Sequence, residues 1–153
     1  MDGKVNEPVI VLGDTSEPKP AFVVNCEPAI VIDDSESIRR IVRAMLMGMG
    51  FTQIKDFASV EELMRDRVHG ARLIISDIEL KSISGLDLLA ALRRDDQLKS
   101  VKILLMTGSR RADHARTAKR LGANGLLLKP FTQPVLQRSI ELASSLSRRR
   151  NAG

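Results

Sequence analysis

An α/β domain, with a parallel sheet covered by helices on both faces, is the fold class that the sequence predicts. Short continuous apolar runs, which are typical of strands buried on both faces, recur along the chain. They alternate five times with segments whose apolar residues recur every three or four positions, as on one side of a helix. Because the links between these segments are short, consecutive elements should pack against each other in one domain.

The first strand and helix show this pattern clearly. The run Ala29-Ile30-Val31-Ile32 predicts a strand buried on both faces. Ser35 follows it as a suitable N-cap, and apolar residues then recur at helical spacing. Gly48 and Gly50 predict the end of this helix.

The next three elements are a strand, a short helix and a second fully apolar strand. Residues 51–57 read as the strand, and the helix over 59–67 opens on a capping box that joins Ser59 to Glu62. Residues 73–77 then form an apolar run that ends in a single carboxylate. A strand that ends in an acid can present a nucleophile or a metal ligand at the edge of a sheet.

The rest of the chain continues the alternation. Apolar residues at helical spacing predict helices over 85–94 and 110–121, and a last helix begins near Pro134. The apolar runs at 102–107 and 125–128 predict the fourth and fifth strands.

The first 27 residues differ in composition from the rest and are rich in proline. Two short apolar runs, Val9–Leu12 and Ala21–Val24, favour an arm with two short strands that docks on a sheet edge. A disordered leader remains the alternative. The predicted organisation is therefore an N-terminal extension over 1–27, a domain over 28–147 and a basic tail over 148–153.

Composition excludes several classes of protein. Apolar residues make up 43% of the 153 residues, but aromatic residues only 3%, so the core must be aliphatic. There is no apolar run of about 20 residues to span a membrane. With a single cysteine, no apolar leader and no internal disulfide, we expect a cytoplasmic protein. The net charge of +5 raises the question of nucleic acid, but a single-strand surface is disfavoured because stacking aromatics are nearly absent.

Polar side chains lie at the ends of four of the five predicted strands. Asp33 and Asp34 follow the first strand, Asp77 ends the third, Thr107 ends the fourth and Lys129 follows the fifth. The carboxyl ends of parallel strands meet at one edge of a sheet, where ligands bind. Carboxylates near 4 Å apart repel by about 1 to 4 kcal/mol per pair unless a cation lies between them. Oxygen ligands predict Mg²⁺, or Mn²⁺ in its place.

Such a set of groups suits a phosphoryl group. The Asp77 carboxylate can attack phosphorus to form an acyl phosphate, while the metal and Lys129 neutralise charge on the phosphoryl oxygens. The Thr107 hydroxyl can bond one of those oxygens. A single acid at a strand end is more often a helix cap than a nucleophile, so the prediction depends on the whole set.

From Ala29 to Leu146 the chain resembles a response-regulator receiver domain of two-component signalling. The motifs that carry the resemblance are Ile32-Asp33-Asp34-Ser35, Ser76-Asp77 with Gly85 after it, Met106-Thr107-Gly108 and Leu128-Lys129-Pro130-Phe131. The resemblance implies the flavodoxin-like (βα)5 fold, a five-stranded parallel sheet of order 2-1-3-4-5 with helices on both faces.

The resemblance also implies the roles of the acids. Asp77 would be the aspartyl-phosphate site. Asp34 and Asp77 would bind Mg²⁺ directly, together with the backbone carbonyl of Glu79, and Asp33 would act through water.

Other residues would act on the phosphoryl group itself. Lys129 would contact it, and Thr107 would be the switch hydroxyl. The side chains of Glu79 and Ser109 would tune how fast water removes the phosphate. A sensor histidine kinase or a histidine phosphotransfer protein would supply the phosphoryl group.

Two positions depart from the family pattern. Leu80-Lys81 stands where such domains usually carry Met-Pro, and Leu126 stands where they carry Tyr or Phe. Leu126 has no ring to fill the space left when Thr107 moves. We therefore expect an unusual route from phosphate to output.

The predicted function is that of a single-domain response regulator, since no output domain follows residue 147. It would not be an enzyme beyond its own phosphorylation and dephosphorylation, and it would signal to an unknown downstream protein. A homodimer is expected, through the N-terminal arm or through the face formed by 110–121, 125–128 and the last helix.

Several alternatives stay open. The first is a phosphorelay intermediate or phosphate sink, and the second is a pseudo-receiver that ignores phosphate. A third is a metal-dependent phosphohydrolase with Glu79 as its second acid, and a fourth is nucleic-acid binding through Arg148–Arg150.

Overall fold

The computed structural model describes residues 18–66 and 70–152. In this part of the chain, five strands form one parallel sheet of order β2-β1-β3-β4-β5, which confirms the predicted fold. The strands are β1 (Ala29–Ile32), β2 (Ile54–Phe57), β3 (Leu73–Asp77), β4 (Lys102–Thr107) and β5 (Gly125–Leu128). The helices are α1 (Ala21–Val24), α2 (Glu36–Gly48), α3 (Val60–Asp66), α4 (Gly85–Arg94), α5 (Ala112–Leu121) and α6 (Gln133–Ala152). None of the described helices is both long and apolar enough to cross a lipid bilayer.

Strand register brings the polar strand ends to one level. In the central part of the sheet Ile32 of β1 lies opposite Ser76 of β3, and Asp77 lies opposite Met106 of β4. Thr107 in turn lies opposite Leu128 of β5. The residues that follow these pairs therefore lie together at the carboxyl edge, as the sequence predicts.

Aliphatic side chains fill both faces of the sheet. On one face, alternate residues of β1, β3 and β4 pack with α2 and α6. On the other face, the remaining strand residues pack with α3, α4 and α5. β1 and β3 are buried along their whole length, so their side chains pack against helices on both faces of the sheet. Polar side chains lie at the carboxyl ends of these strands.

Two predicted helix starts are confirmed by their caps. The Ser35 hydroxyl accepts a hydrogen bond from the Ile38 N–H at 3.3 Å, which opens α2. At α3, the Ser59 hydroxyl accepts from the Glu62 N–H at 3.1 Å, and the Glu62 carboxylate accepts from the Ala58 N–H at 2.8 Å. Both helices therefore begin close to where the sequence places them.

The predicted strand over Ala21–Val24 is wrong, because this run forms the short helix α1. Its turn closes on local bonds in which the N–H groups of Val23 and Val24 donate to the Pro20 carbonyl at 3.0 and 3.2 Å. Val23 is buried in the core while Val24 is 51% exposed, so only one side of the run packs inward. Four apolar residues cannot by themselves distinguish a strand from a helical turn. The run over 9–12 lies outside the described residues, and the division at residue 27 stays a prediction.

Two predicted elements are shorter than expected. β2 begins at Ile54 rather than Phe51, because the N–H groups of Thr52 and Gln53 donate to the buried Glu27 carboxylate and not to a neighbouring strand. α5 begins at Ala112 rather than at residue 110. Both differences lie at element ends, which are the parts of a helix or strand that local sequence patterns place least precisely.

Candidate functional site

Three carboxylates meet at the carboxyl edge of the sheet. Asp33, Asp34 and Asp77 each place one oxygen so that all three lie within 4.8 Å of one another. Asp33 and Asp77 are only 1% and 4% exposed, whereas Asp34 is exposed to solvent. The structure therefore brings together the acids that the sequence singles out, with one open side.

Lys129 lies among these acids. Its ammonium donates to Asp33 Oδ2 at 3.2 Å and to Asp77 Oδ2 at 3.1 Å. Burial lowers the pKa of Lys129, but the hydrogen bond to Asp77 and the charges of both acids outweigh burial and raise it. Lys129 is thus a fixed positive charge that offsets part of the repulsion between the two buried carboxylates.

Asp77 is harder to ionise than an ordinary aspartate. Burial raises its pKa, the hydrogen bond from Lys129 lowers it, and the nearby acids Glu79 and Asp33 raise it, for a value of about 6. One of its oxygens, Oδ1, accepts from the Glu79 N–H at 3.2 Å, and the other accepts from Lys129. The excess of negative charge at this edge favours a bound cation.

Thr107 is engaged by the side chain of Glu79. The Thr107 hydroxyl donates to Glu79 Oε1 at 2.6 Å and accepts from the Ser109 N–H at 3.0 Å. Burial raises the pKa of Glu79, but this hydrogen bond and the neighbouring donors outweigh burial and lower it. Glu79 and Ser109 therefore flank Thr107 directly, and the hydroxyl must leave Glu79 before it can donate its proton to another acceptor.

His114 lies beside this pair and was not among the sequence-predicted residues. Its Nδ1 is buried, makes no hydrogen bond within the described part of the chain, and lies 4.0 Å from Glu79 Oε1. A lone histidine in the first turn of a helix carries no motif, so only the packing of α5 against the site reveals it.

Gly85 is required where the loop after β3 returns to the sheet. A Cβ built at this position would collide with the backbone carbonyl of Asp77, which runs against it. Glycine therefore lets the start of α4 lie directly on the chain that carries Asp77. This close approach explains why the loop after β3 ends at a glycine, as the sequence predicts.

The three residues that depart from the family pattern, Leu80, Lys81 and Leu126, differ in their exposure to solvent. Leu80 is half-buried against the α3–α5 side of the core, while Lys81 is exposed. Leu126 lies opposite Leu105 in the sheet and is 37% exposed. The strand next to Thr107 therefore carries an aliphatic side chain at residue 126, where the family usually has an aromatic ring.

The arrangement fits a divalent cation next to a phosphoryl group. Carboxylate oxygens are the ligands that Mg²⁺ and Mn²⁺ prefer, and the exposed side at Asp34 leaves room for water and substrate. The carboxylate of Asp77, the ammonium of Lys129 and the hydroxyl of Thr107 face the same edge. These are the groups that the sequence predicts to act on a phosphoryl group.

Comparison with known proteins agrees with this geometry. A family model, the response regulator receiver domain, matches residues 29–141, which span all five strands and the first part of α6. The chain belongs to this family. As a receiver it is a member of a group of signalling proteins rather than of classical enzymes, and the family supports a phosphoacceptor role in signalling.

Chemotaxis receivers are among its relatives. The chemotaxis protein CheY of Pseudomonas aeruginosa is 32% identical over 114 residues, which cover 73% of this chain and 91% of the relative. The structure of CheY4 of Vibrio cholerae is 29% identical, covers 74% of this chain and 94% of that one, and superposes with a TM-score of 0.67. A CheY-like receiver of Methanospirillum hungatei, with 20% identity and a TM-score of 0.71 over 80% of this chain and 96% of that one, shares the fold.

Proposed function

We propose that this receiver accepts a phosphoryl group on Asp77 from a sensor histidine kinase or a histidine phosphotransfer protein, and that it signals by binding another protein. The observation that carries the proposal is the contact between Lys129 Nζ and Asp77 Oδ2 at 3.1 Å, beside the acid pair Asp33 and Asp34. An ammonium held between buried acids at a ligand-binding sheet edge is an arrangement suited to phosphoryl transfer.

The proposed reaction needs only groups of this site and the donor. An oxygen of the Asp77 carboxylate attacks phosphorus, and the bond between phosphorus and the donor imidazole nitrogen breaks. The electron pair of that bond stays on the nitrogen, and the donor leaves as a neutral imidazole when its other ring nitrogen carries a proton. Lys129 neutralises charge on the phosphoryl oxygens as Asp77 becomes an acyl phosphate.

Mg²⁺, or Mn²⁺ in its place, would supply further charge neutralisation at the phosphoryl oxygens. Asp34 and Asp77 would hold it directly together with the backbone carbonyl of Glu79, and Asp33 would act through water. The three clustered carboxylates support this assignment.

Thr107 would move to the phosphoryl group after transfer. Its hydroxyl now donates to Glu79, so that bond would have to be exchanged for one to a phosphoryl oxygen. The side chains of Glu79 and Ser109, which flank Thr107, would tune the attack of water on the acyl phosphate.

An apolar cleft beside Lys129 supports docking of a phosphodonor protein. The cleft has a volume of about 330 Å³ and lies between α2 and the residues that follow Lys129. It is lined by Ile38, Ile41, Val42, Met45, Pro130 and Phe131. A partner helix that packs here would bring its histidine close to Asp77.

Mass spectrometry after incubation with Mg²⁺ and a small phosphodonor tests the function. The wild-type protein should gain one phosphoryl group, and Asp77→Asn should gain none. Asp96→Asn, which changes a carboxylate that is 95% exposed, is the matched control and should react like wild type. If the wild-type protein takes up neither phosphoryl group nor beryllofluoride with Mg²⁺ present, the chain is a phosphate-independent interaction module, an alternative that the aliphatic Leu126 favours.

A homodimer is part of the proposal. Apolar side chains that are 37% to 49% exposed lie on β5 and α6, namely Leu126, Leu128, Val135 and Leu142. Sedimentation with and without beryllofluoride measures this assembly. Leu142→Lys should shift the protein toward monomer, and unchanged sedimentation would remove this face from the interface.

A further inference from the structure

Arg39, on the first turns of α2, makes two contacts that point toward the acid pair. Its Nη1 donates to the backbone carbonyl of Asp33 at 2.7 Å, and its Nε donates to Asp56 Oδ2 at 2.9 Å. The Arg39 side chain is only 15% exposed. It therefore joins the end of β1 to β2 through a nearly buried guanidinium.

Asp56 is itself held in place. Its other oxygen, Oδ1, accepts from Arg43 Nη1 at 3.3 Å, and the same nitrogen donates to the Ile54 carbonyl at 3.0 Å. The acceptor for Arg39 is thus anchored both by the strand that carries it and by a second arginine one helical turn along α2. Arg39 has little freedom to move its contact with Asp33.

The Asp33 residue is fixed at every polar group. Its N–H donates to the Phe57 carbonyl at 3.2 Å, and its two carboxylate oxygens accept from the Ser35 N–H at 2.9 Å and from Lys129 at 3.2 Å. The carbonyl held by Arg39 is the remaining group, and it belongs to the peptide that joins Asp33 to Asp34. Arg39 therefore sets the plane of that peptide.

Asp34 depends on this peptide more than its neighbours do. Its exposed carboxylate makes no hydrogen bond or ion pair with the described residues, unlike those of Asp33 and Asp77. Its oxygen nevertheless lies within 4.8 Å of both. With no side-chain partner to hold it, the Asp34 carboxylate depends on its backbone for the position from which it reaches the other two acids.

We propose that Arg39 is a positioning residue for the divalent-cation site, because it fixes the peptide between Asp33 and Asp34 and so directs the Asp34 carboxylate toward Asp77. The guanidinium is suited to this task since it offers donors in a rigid fork, one for the Asp33 carbonyl and one for Asp56. A lysine ammonium has no such fork. This inference rests on the proposed function of the site.

Mn²⁺ binding to the full chain, followed through the electron paramagnetic resonance signal of the free ion, tests the proposal without any phosphorylation. Arg39→Met should weaken Mn²⁺ binding about tenfold or more, the loss expected when a supporting hydrogen bond to a metal site is removed. Arg40→Met is the matched control, since Arg40 is 77% exposed and pairs only with Glu36 among described residues. It should bind Mn²⁺ within about twofold of wild type.

Arg39→Lys keeps the charge and serves if Arg39→Met does not fold, as judged by circular dichroism. Its Mn²⁺ affinity should fall several-fold because one directed donor is lost. Wild-type affinity in a folded Arg39 variant, or an equal loss in Arg40→Met, would overturn the proposal. A wild-type protein that binds no Mn²⁺ would instead overturn the proposed function of the site and this inference with it.

A double-mutant cycle separates positioning from a general loss of structure. If Arg39 acts through the Asp34 carboxylate, Arg39→Met should cost about twofold or less once Asp34→Asn is present, because the coupled contribution is already gone. The same tenfold loss in both backgrounds would show that Arg39 supports the fold rather than Asp34, and would refute the assignment.

Discussion

Replacing Glu79 with alanine should favour the state in which Thr107 bonds a phosphoryl oxygen. In the structure the Thr107 hydroxyl donates to Glu79 Oε1 at 2.6 Å, so this bond must break before the hydroxyl can move. The backbone carbonyl and N–H of residue 79 are kept in the alanine variant. The substitution therefore removes the competing acceptor and leaves the backbone contacts in place.

The size of the effect follows from the nature of that bond. A hydrogen bond to a charged group contributes about 1.5–3 kcal/mol when it is well buried. The Glu79 side chain is 43% exposed, so solvent screening reduces the contribution to about 1 kcal/mol. That free energy corresponds to an approximately fivefold shift in the equilibrium for Thr107 release.

Fluorine NMR of beryllofluoride binding at saturating Mg²⁺ measures this shift. Glu79→Ala should bind beryllofluoride about fivefold more tightly than wild type. Glu79→Gln should fall between the two, since the amide keeps an acceptor for Thr107 but loses the charge.

The Thr107→Ala background isolates the contribution of the hydrogen bond between Thr107 and Glu79. With no hydroxyl to release, Glu79→Ala should no longer improve binding through this route. If Glu79→Ala binds beryllofluoride no more tightly than wild type, the bond to Glu79 does not hold Thr107 back. If the full improvement persists without Thr107, the gain comes from removing negative charge alone.

Three further predictions concern stability. Gly85→Ala should lower the free energy of unfolding in urea by about 1–3 kcal/mol, because the new Cβ meets the Asp77 carbonyl. Arg93→Met should lower the free energy of unfolding by about 2–4 kcal/mol. Arg93 donates to the carbonyls of residues 99, 101 and 122 and to the side-chain amide oxygen of residue 124, and all of these bonds would be lost. Arg94→Met, which changes an exposed arginine, should alter stability little. For Glu27, burial raises the pKa, but bonds from residues 19, 53 and 52 outweigh it and lower the pKa below its ordinary 4.5. Wild type should therefore exceed Glu27→Gln in stability at pH 7, by about 2 kcal/mol, and the difference should vanish as the pH falls through the folded-state pKa.

A control variant or a pH series tests the explanation given for each of these three stability changes. Gly108→Ala meets no atom within 4 Å and should keep wild-type stability, so equal losses at both glycines would contradict the steric explanation. Equal effects of Arg93→Met and Arg94→Met would show that helix charge, not the hydrogen bonds, is responsible. A stability difference between wild type and Glu27→Gln that stays unchanged as the pH falls well below 4.5 would contradict the titration of Glu27.

Local pattern was sufficient for most of the fold. The bounds of β1, β3, β4, β5 and α4 agree with the prediction residue for residue. The apolar runs of β1, β3 and β4 reflect burial on both faces of the sheet, and that requirement is visible directly in the order of residues. The grouping of Asp33, Asp34, Asp77, Thr107 and Lys129 also followed from local pattern, because parallel strands place their carboxyl ends together whatever the side chains are.

The ends of elements were less predictable, because local pattern does not include the distant residues that set them. Ala21–Val24 forms a helical turn and not a strand because the core takes Val23 and leaves Val24 outside. β2 starts at Ile54 because Glu27 captures the two preceding N–H groups. Each outcome depends on a partner more than 20 residues away or on the core as a whole, which a local window of sequence does not contain.

By itself, then, the sequence determined the sheet, its polar edge and the residues that stand on it. Tertiary structure alone decided how those residues are held: Thr107 bonded to Glu79, His114 placed beside them, and the Asp33 carbonyl bound by Arg39. The Thr107 and Arg39 contacts are single hydrogen bonds between separate elements, and their formation depends on distances of a fraction of an ångström. No periodicity or motif records such distances, whereas the continuous apolar runs of β1, β3 and β4 record the burial of those strands.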